Sequence, residues 1–312
     1  MKLKLIKVVA ISLLLLGTVA TAAQDIRIFS VENKDGKITA VSVEKAFADA
    51  GFYITGNNDM NKAFDGKFKK HHHKSYNLMT LHSKEFANKL LTKNPDFALF
   101  TPLSMSLYTK VDTTSFSVSS MSAEGIAKIT GIASDDKDLI AYMKAVEDVL
   151  KKAMPNGKFE EITYKIEKPK GELVQRFEME MKEQGKEVED ALEDYQTELE
   201  SGLETVGFVL AGFNKLGDDL AKVGNTKYDF FDAYSICKLS VIFEVSKLHP
   251  EAGAFAPCTL FMFKEKGTDK VKMAFPSVYN WLSSIDVTDK PSEDVLIDAQ
   301  NKFVTTVKES ME

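Results

Sequence analysis

A chain that repeats its own pattern at a spacing of about 155 residues has to build much the same fold twice. NPDFALFTPL at 94–103 returns as HPEAGAFAPC at 249–258, so Pro95, Phe100 and Pro102 each meet a counterpart, Pro250, Phe255 and Pro257, 155 positions on. Upstream, GFYITGNN from Gly51 returns as GFVLAGFN from Gly207, now 156 apart, ending on Asn58 and Asn214. A solenoid unit runs about 20–50 residues, so this period predicts a whole domain of about 150 residues in tandem.

The N-terminus predicts export. Lys2, Lys4 and Lys7 precede the apolar run Val8 to Leu16, and Ala20-Thr21-Ala22 supplies small residues for cleavage after Ala22. Domains are therefore expected at 1–22 (signal peptide), 23–155 (first copy) and 156–312 (second copy), with a periplasmic location and full secretion as the alternative. No later stretch approaches ~20 apolar residues, so no membrane anchor is expected after cleavage. Loss of residues 1–22 leaves 37 basic against 46 acidic residues, a net charge of −9. That sign offers no footprint for nucleic acid or an anionic bilayer.

Each copy reads as the same order of elements. Strands are expected at 26–32 and 162–167, each followed by an amphipathic helix and the GFYIT or GFVLA strand. Next come 76–81 or 231–236, a short helix, and a closing hairpin: 98–110 with 115–119, and 254–264 with 270–275. Final helices at 139–152 and 295–308 carry apolar residues at spacings of three and four. The expected class is α+β: two tandem copies of a small domain, each a largely antiparallel sheet packed by helices, forming an internal pseudo-dimer joined near 155–158.

The second copy is expected to carry an acidic helical insertion at about 172–204. Leu173, Phe177, Met181, Val188, Leu192, Tyr195, Leu199 and Leu203 form one helical stripe, and twelve acidic residues stand against three basic ones. A solvated face of a helix lying on the sheet explains that composition better than a dock for a basic partner.

The mature chain has two cysteines, Cys237 and Cys258. The stretch SICKLSVIFEVSKLHPEAGAFAPCTLFMFKEKG resembles the core of the DUF302 family, in which a Cys precedes a short helix and a Pro-Cys opens a strand after a Pro-Glu-x-Gly turn. The matching residues are Cys237, Pro250, Glu251, Gly253, Pro257 and Cys258. Lys238-Leu239 stand where the family has Asn-Pro after its first Cys. In the first copy Pro95 and Pro102 persist, but His82 and Leu103 occupy the two Cys positions. The resemblance implies a fold and a residue pair, and no reaction.

A helix over 238–248 advances ~15 Å, and a returning strand recovers ~13 Å by Cys258, which can set both thiols at one end of the sheet. Cys237 also precedes a helix N-terminus, where backbone N–H groups favour a thiolate. Three states stay open: a structural disulfide, natural in an oxidising compartment; a redox-active or ligand-capturing pair; and two buried, unreactive thiols.

His71, His72 and His73 sit in a lysine-flanked run, His82 follows, and Met60, Met79, Met105 and Met121 lie in the same copy. Imidazole with thioether suits copper, and haem is a further alternative. A solvated loop and core methionines explain the same residues without a metal. No nucleophile elbow, H-E-x-x-H, C-x-x-C, phosphate loop or dinucleotide fingerprint is present. With no such constellation the chain reads as a binding or accessory protein for an unidentified small ligand or protein rather than an enzyme. The rival is thiol redox or sulfur handling by Cys237 and Cys258. The cleft between copies is the expected ligand site, with the cysteines on one side and His82 and Met105 on the other. Tyr279 and Trp281 are expected as core or as an aromatic wall. Pairing of two chains stays open.

Overall fold

The computed structural model describes residues 24–163, 166–181 and 188–311; the expected signal segment lies outside them. The first half runs β1 (Ile26–Glu32), α1 (Ala40–Asp49), β2 (Tyr53–Asp59), α2 (Met60–Phe68), β3 (His73–His82), α3 (Lys84–Lys93), a 3-10 turn (Pro95–Phe100), β4 (Leu103–Lys110), β5 (Ser115–Met121), α4 (Ala123–Thr130) and α5 (Lys137–Ala153). After β6 (Lys158–Phe159) the second half has β7 (Val174–Glu180), α6 (Val188–Thr205), β8 (Val209–Lys215), α7 (Leu216–Lys222) and β9 (Tyr228–Cys237). It continues with α8 (Leu239–Ser246), a second 3-10 turn (Pro250–Phe255), β10 (Cys258–Glu265), β11 (Lys270–Pro276), α9 (Tyr279–Ser284) and α10 (Lys290–Glu309).

All strand pairs are antiparallel, in the orders β2-β3-β4-β5-β1-β6 and β7-β11-β10-β9-β8. With β6 set aside the two sheets have the same strand order, and every helix keeps its place in the sequence of elements. The two closing helices start on side-chain caps: Asp136 accepts from the Asp138 and Leu139 amides, and Asp289 from that of Ser292, which satisfies orphan donors of α5 and α10.

Two expectations change. The second half opens with β7: residues 162–163 and 166–167 are in no strand, 164–165 and 182–187 lie outside the described residues, and the described part of the expected helical insertion divides. Leu173, Phe177 and Met181 lie in or beside a strand, whereas Leu192, Tyr195, Leu199 and Leu203 are the buried stripe of α6. A spacing of four is two strand repeats as well as about one helical turn, so the pattern 173/177/181 fits both. α6 is thus no insertion: it holds the place of α1, lengthened from 10 to 18 residues. Its Tyr195 hydroxyl points at Met273 Sδ, 3.0 Å away on β11.

The halves hold each other by exchanging turns. The 250–255 turn lies on β4 and β5, and the 95–100 turn lies on β10 and β11. Ser106 Oγ and Tyr76 Oη both donate to the Pro250 carbonyl, at 2.8 and 3.1 Å. Ser119 donates to Glu251 O and Ser104 to Pro257 O, each at 2.8 Å. Hydroxyls on the sheet face thereby satisfy carbonyls that the turn leaves unpaired in a buried interface. Gly253 is required there: a Cβ at that position would stand 2.4 Å from Ser106 Cβ and 2.6 Å from Leu78 Cδ2.

Candidate functional site

Cys237 ends β9 and Cys258 begins β10, with Cys258 directly opposite Ile236 in the ladder. The pair therefore sits at one end of the second sheet. Both thiols are free, so no disulfide staples this end. They line a cavity of about 40 Å³ whose other walls include Phe208, Ile242, Phe275, Trp281 and Phe303. Each cysteine is half-buried as a residue, yet the surroundings of its thiol are protein. Burial pushes the Cys237 thiol up to about 12 and raises that of Cys258 as well. Cys258 Sγ donates to Phe255 O at 3.0 Å. The expected helix-terminus activation of Cys237 fails because α8 begins two residues later and no cation compensates the loss of solvent.

The helix that walls the cavity, α10, differs from α5 at five of the six buried positions the two share, and one of those changes sets an alanine where α5 has a tyrosine. The buried residues of α5, Leu139, Tyr142, Met143, Val146, Val149 and Leu150, recur 157 positions later on α10 as Leu296, Ala299, Gln300, Phe303, Thr306 and Val307. In the first half the fully buried Tyr142 ring reaches Phe52, Phe86 and Phe97, with centroids at 6.3, 5.6 and 5.9 Å. In the second half Ala299 removes that ring and Phe208, the counterpart of Phe52, turns its edge to Phe303 at 5.8 Å. Gln300 adds no free acceptor to the wall, because its Oε1 receives Ser277 Oγ at 2.7 Å and the Val278 amide at 2.8 Å.

At the rim stands Lys238, the residue that departs from Asn-Pro in the motif. Its Nζ donates to Val206 O at 2.7 Å and lies 4.8 Å from the Phe208 ring centre. Burial lowers its pKa first, with Lys302 and Lys67 adding to the effect and Asp298 opposing it. On the far side, Cys258 and Trp281 also wall a smaller cavity of about 20 Å³ between the halves, closed by Phe100, Pro102, Ser104 and Pro257. Trp281 stacks on Phe255 at 5.6 Å.

The other expected site residues go elsewhere. Pro250, Glu251 and Gly253 serve the interface described above, and Pro257 both accepts from Ser104 and lines the smaller cavity. Tyr279 covers Gly171 instead of a ligand wall. His82 is buried against the Tyr53 ring at 5.3 Å, and Met105 is core on β4, so neither faces the cysteines across a cleft. The histidine run disperses: His71 Nδ1 meets Asp65 at 2.9 Å, His72 packs 4.5 Å from Phe243, and His73 Nε2 hydrogen-bonds Ser246 O at 2.8 Å. His73 and His82 are the two ends of β3, about 30 Å apart at ~3.3 Å per residue. Among the described residues no group of three or more His, Cys, Asp or Glu could hold a metal ion, and no helix is long and apolar enough to cross a membrane. Ala299 is not singled out by the sequence pattern, and Lys238 is marked there only as a departure from the motif; aligning the closing helices at 157 exposes the first.

Residues 29–156 match the family described as "Domain of unknown function DUF302". The match falls on the half whose two cysteine positions hold His82 and Leu103. Among solved structures, the crystal structure of an uncharacterized conserved protein DUF302 from Bacillus stearothermophilus is similar at 15% identity and a TM-score of 0.37. The alignment covers 46% of this chain and 100% of that one. No curated protein matches the chain.

Proposed function

We propose that the chain, whose residues 29–156 match the DUF302 family, is a binding or accessory protein whose ligand occupies the cavity of the second half. One observation carries this reading: a cavity lies between Cys237, Cys258 and Trp281, and Ala299 stands in its wall at the helix position where the first half has the buried Tyr142. A gap of that kind loses packing contacts without return unless something occupies it. The walls are apolar and the thiols protonated, so the cavity favours an apolar group over a polar one. The thiol-redox reading draws no support from cysteines whose thiols burial holds in the protonated form.

Trp281 is the single tryptophan of the chain and stands in the cavity wall, so its fluorescence reports on that wall. Titration of pentan-1-ol into the millimolar range is expected to give a saturable change in emission. Ala299→Phe, with Ala299→Leu as a smaller plug, is expected to abolish the change while leaving the far-ultraviolet dichroism intact. A wild-type protein with no saturable response, or a plugged variant that responds like wild type, removes this reading.

A further inference from the structure

We propose that the cavity is built for a short-chain aliphatic carboxylate, whose hydrocarbon end lies between Cys237, Cys258 and Trp281 and whose carboxylate meets Lys238 at the rim. This rests on the reading of the cavity as a ligand site and adds the chemical class of the ligand. Lys238 is half-buried, and among the described residues its one acceptor is the Val206 carbonyl. An ammonium has three donors, so two are left for a ligand. Among the described residues no carboxylate comes within ion-pair distance of it, whereas the nearby Asp298 is engaged by Lys302 at 2.8 Å.

Below that rim the exposed wall is almost wholly apolar. Its thiols are protonated, and the Gln300 oxygen is already occupied twice. The volume of about 40 Å³ is room for about three water-sized groups at ~10–15 Å³ each, which is a short alkyl chain and not a long one. Cavity and cation also vary together between the halves. Where Tyr142 fills the space, Ser83 stands at the position of Lys238; where Ala299 opens it, the lysine is present.

The test compares pentanoate with pentan-1-ol, equal in carbon number, by Trp281 fluorescence and calorimetry at neutral pH and low salt. Pentanoate is expected to bind about tenfold tighter or more, the scale of a charge-assisted hydrogen bond in a partly desolvated site. Lys238→Met should bring the two ligands level, Lys238→Arg should retain most of the preference, and added salt should reduce it in the wild type. Equal affinity of the wild type for both ligands, or a preference that survives in Lys238→Met, overturns the carboxylate assignment and leaves the cavity reading standing. If neither ligand gives a response that Ala299→Phe removes, the cavity reading falls with it.

Discussion

Gly253→Ala should loosen the contact between the halves. Its Cβ would stand 2.4 Å from Ser106 Cβ, 2.6 Å from Leu78 Cδ2 and 3.1 Å from Ser106 Cα. Carbon atoms pack at about 3.5–4.0 Å, so the 250–255 turn would have to retreat from β4 by about 1 Å or more. That movement stretches the bonds that Ser106 and Tyr76 make to Pro250 O, now 2.8 and 3.1 Å, to the edge of hydrogen-bonding range. Two buried bonds at about 1 kcal/mol each, added to about 1–3 kcal/mol of overpacking, give a loss of about 3–5 kcal/mol. Urea unfolding followed by Trp281 fluorescence and far-ultraviolet dichroism measures it. Gly66→Ala is the control: it lies in α2 with nothing within 4 Å of its Cβ, and should gain about 0.5–1 kcal/mol from helix propensity. In the pair Gly253→Ala with Ser106→Gly, removal of the closest atom should recover part of the loss. A Gly253→Ala loss below about 1 kcal/mol would refute the turn-exchange account of how the halves hold together.

At pH 8 in the folded protein, Cys237, pushed up to about 12, should carry about a thousandth of the thiolate of an ordinary cysteine, so aromatic disulfide reagents should label the denatured chain rapidly and the native one hardly at all. Fast native labelling would restore the redox reading. The sign of the linkage follows from the raised thiol: its contribution is complete below the unfolded value near 9 and is lost as pH rises from there towards 12, at up to ~1.4 kcal/mol per pH unit. A stability that is flat over that range would contradict the burial of Cys237. Asp232, buried on β9 and hydrogen-bonded by Gln196 at 3.0 Å, is raised to about 6, so its contribution is present below about 4 and lost as pH rises through 6. Asp232→Asn should therefore stabilise the protein by about 1–3 kcal/mol at pH 7.5 and leave it unchanged at pH 4, as read by thermal unfolding. The first half already carries Asn77 at the corresponding place in β3.

The doubled architecture was legible because its markers are backbone devices. Pro95 and Pro250 open the exchanged turns, both Thr101-Pro102 and Ala256-Pro257 are cis, and Gly51 and Gly207 both take positive φ before an edge strand. Such requirements keep their residue types wherever the fold recurs. The segment 173–181 was misread because its apolar spacing fits two periods at once, and only pairing with β11 decides between them. The state of the cysteines was hidden for a different reason. The groups that bury them, Leu296, Ala299 and Phe303, lie on α10, about forty residues past Cys258 and far from the motif. Spacing within the motif can bring two thiols to one end of a sheet, but a helix arriving from elsewhere sets their solvent.

The 250–255 turn ties the interface to the cavity. Its first residues give their carbonyls to Tyr76, Ser106 and Ser119 of the first half, while its last, Phe255, stacks on Trp281 and accepts from the Cys258 thiol. Cys258 and Trp281 then serve as a wall of both the ligand cavity and the smaller space between the halves. A group that enters the cavity and shifts Trp281 therefore presses on Phe255, at the end of a six-residue turn whose beginning is fixed by hydrogen bonds to the other half. The first half has kept the sheet face that receives this turn and buries Tyr142 at the helix position where the second half has Ala299. If the proposed ligand binds, the two copies divide the work, one as the anchor and the other as the receptacle, and the turn carrying the motif is where the two roles meet.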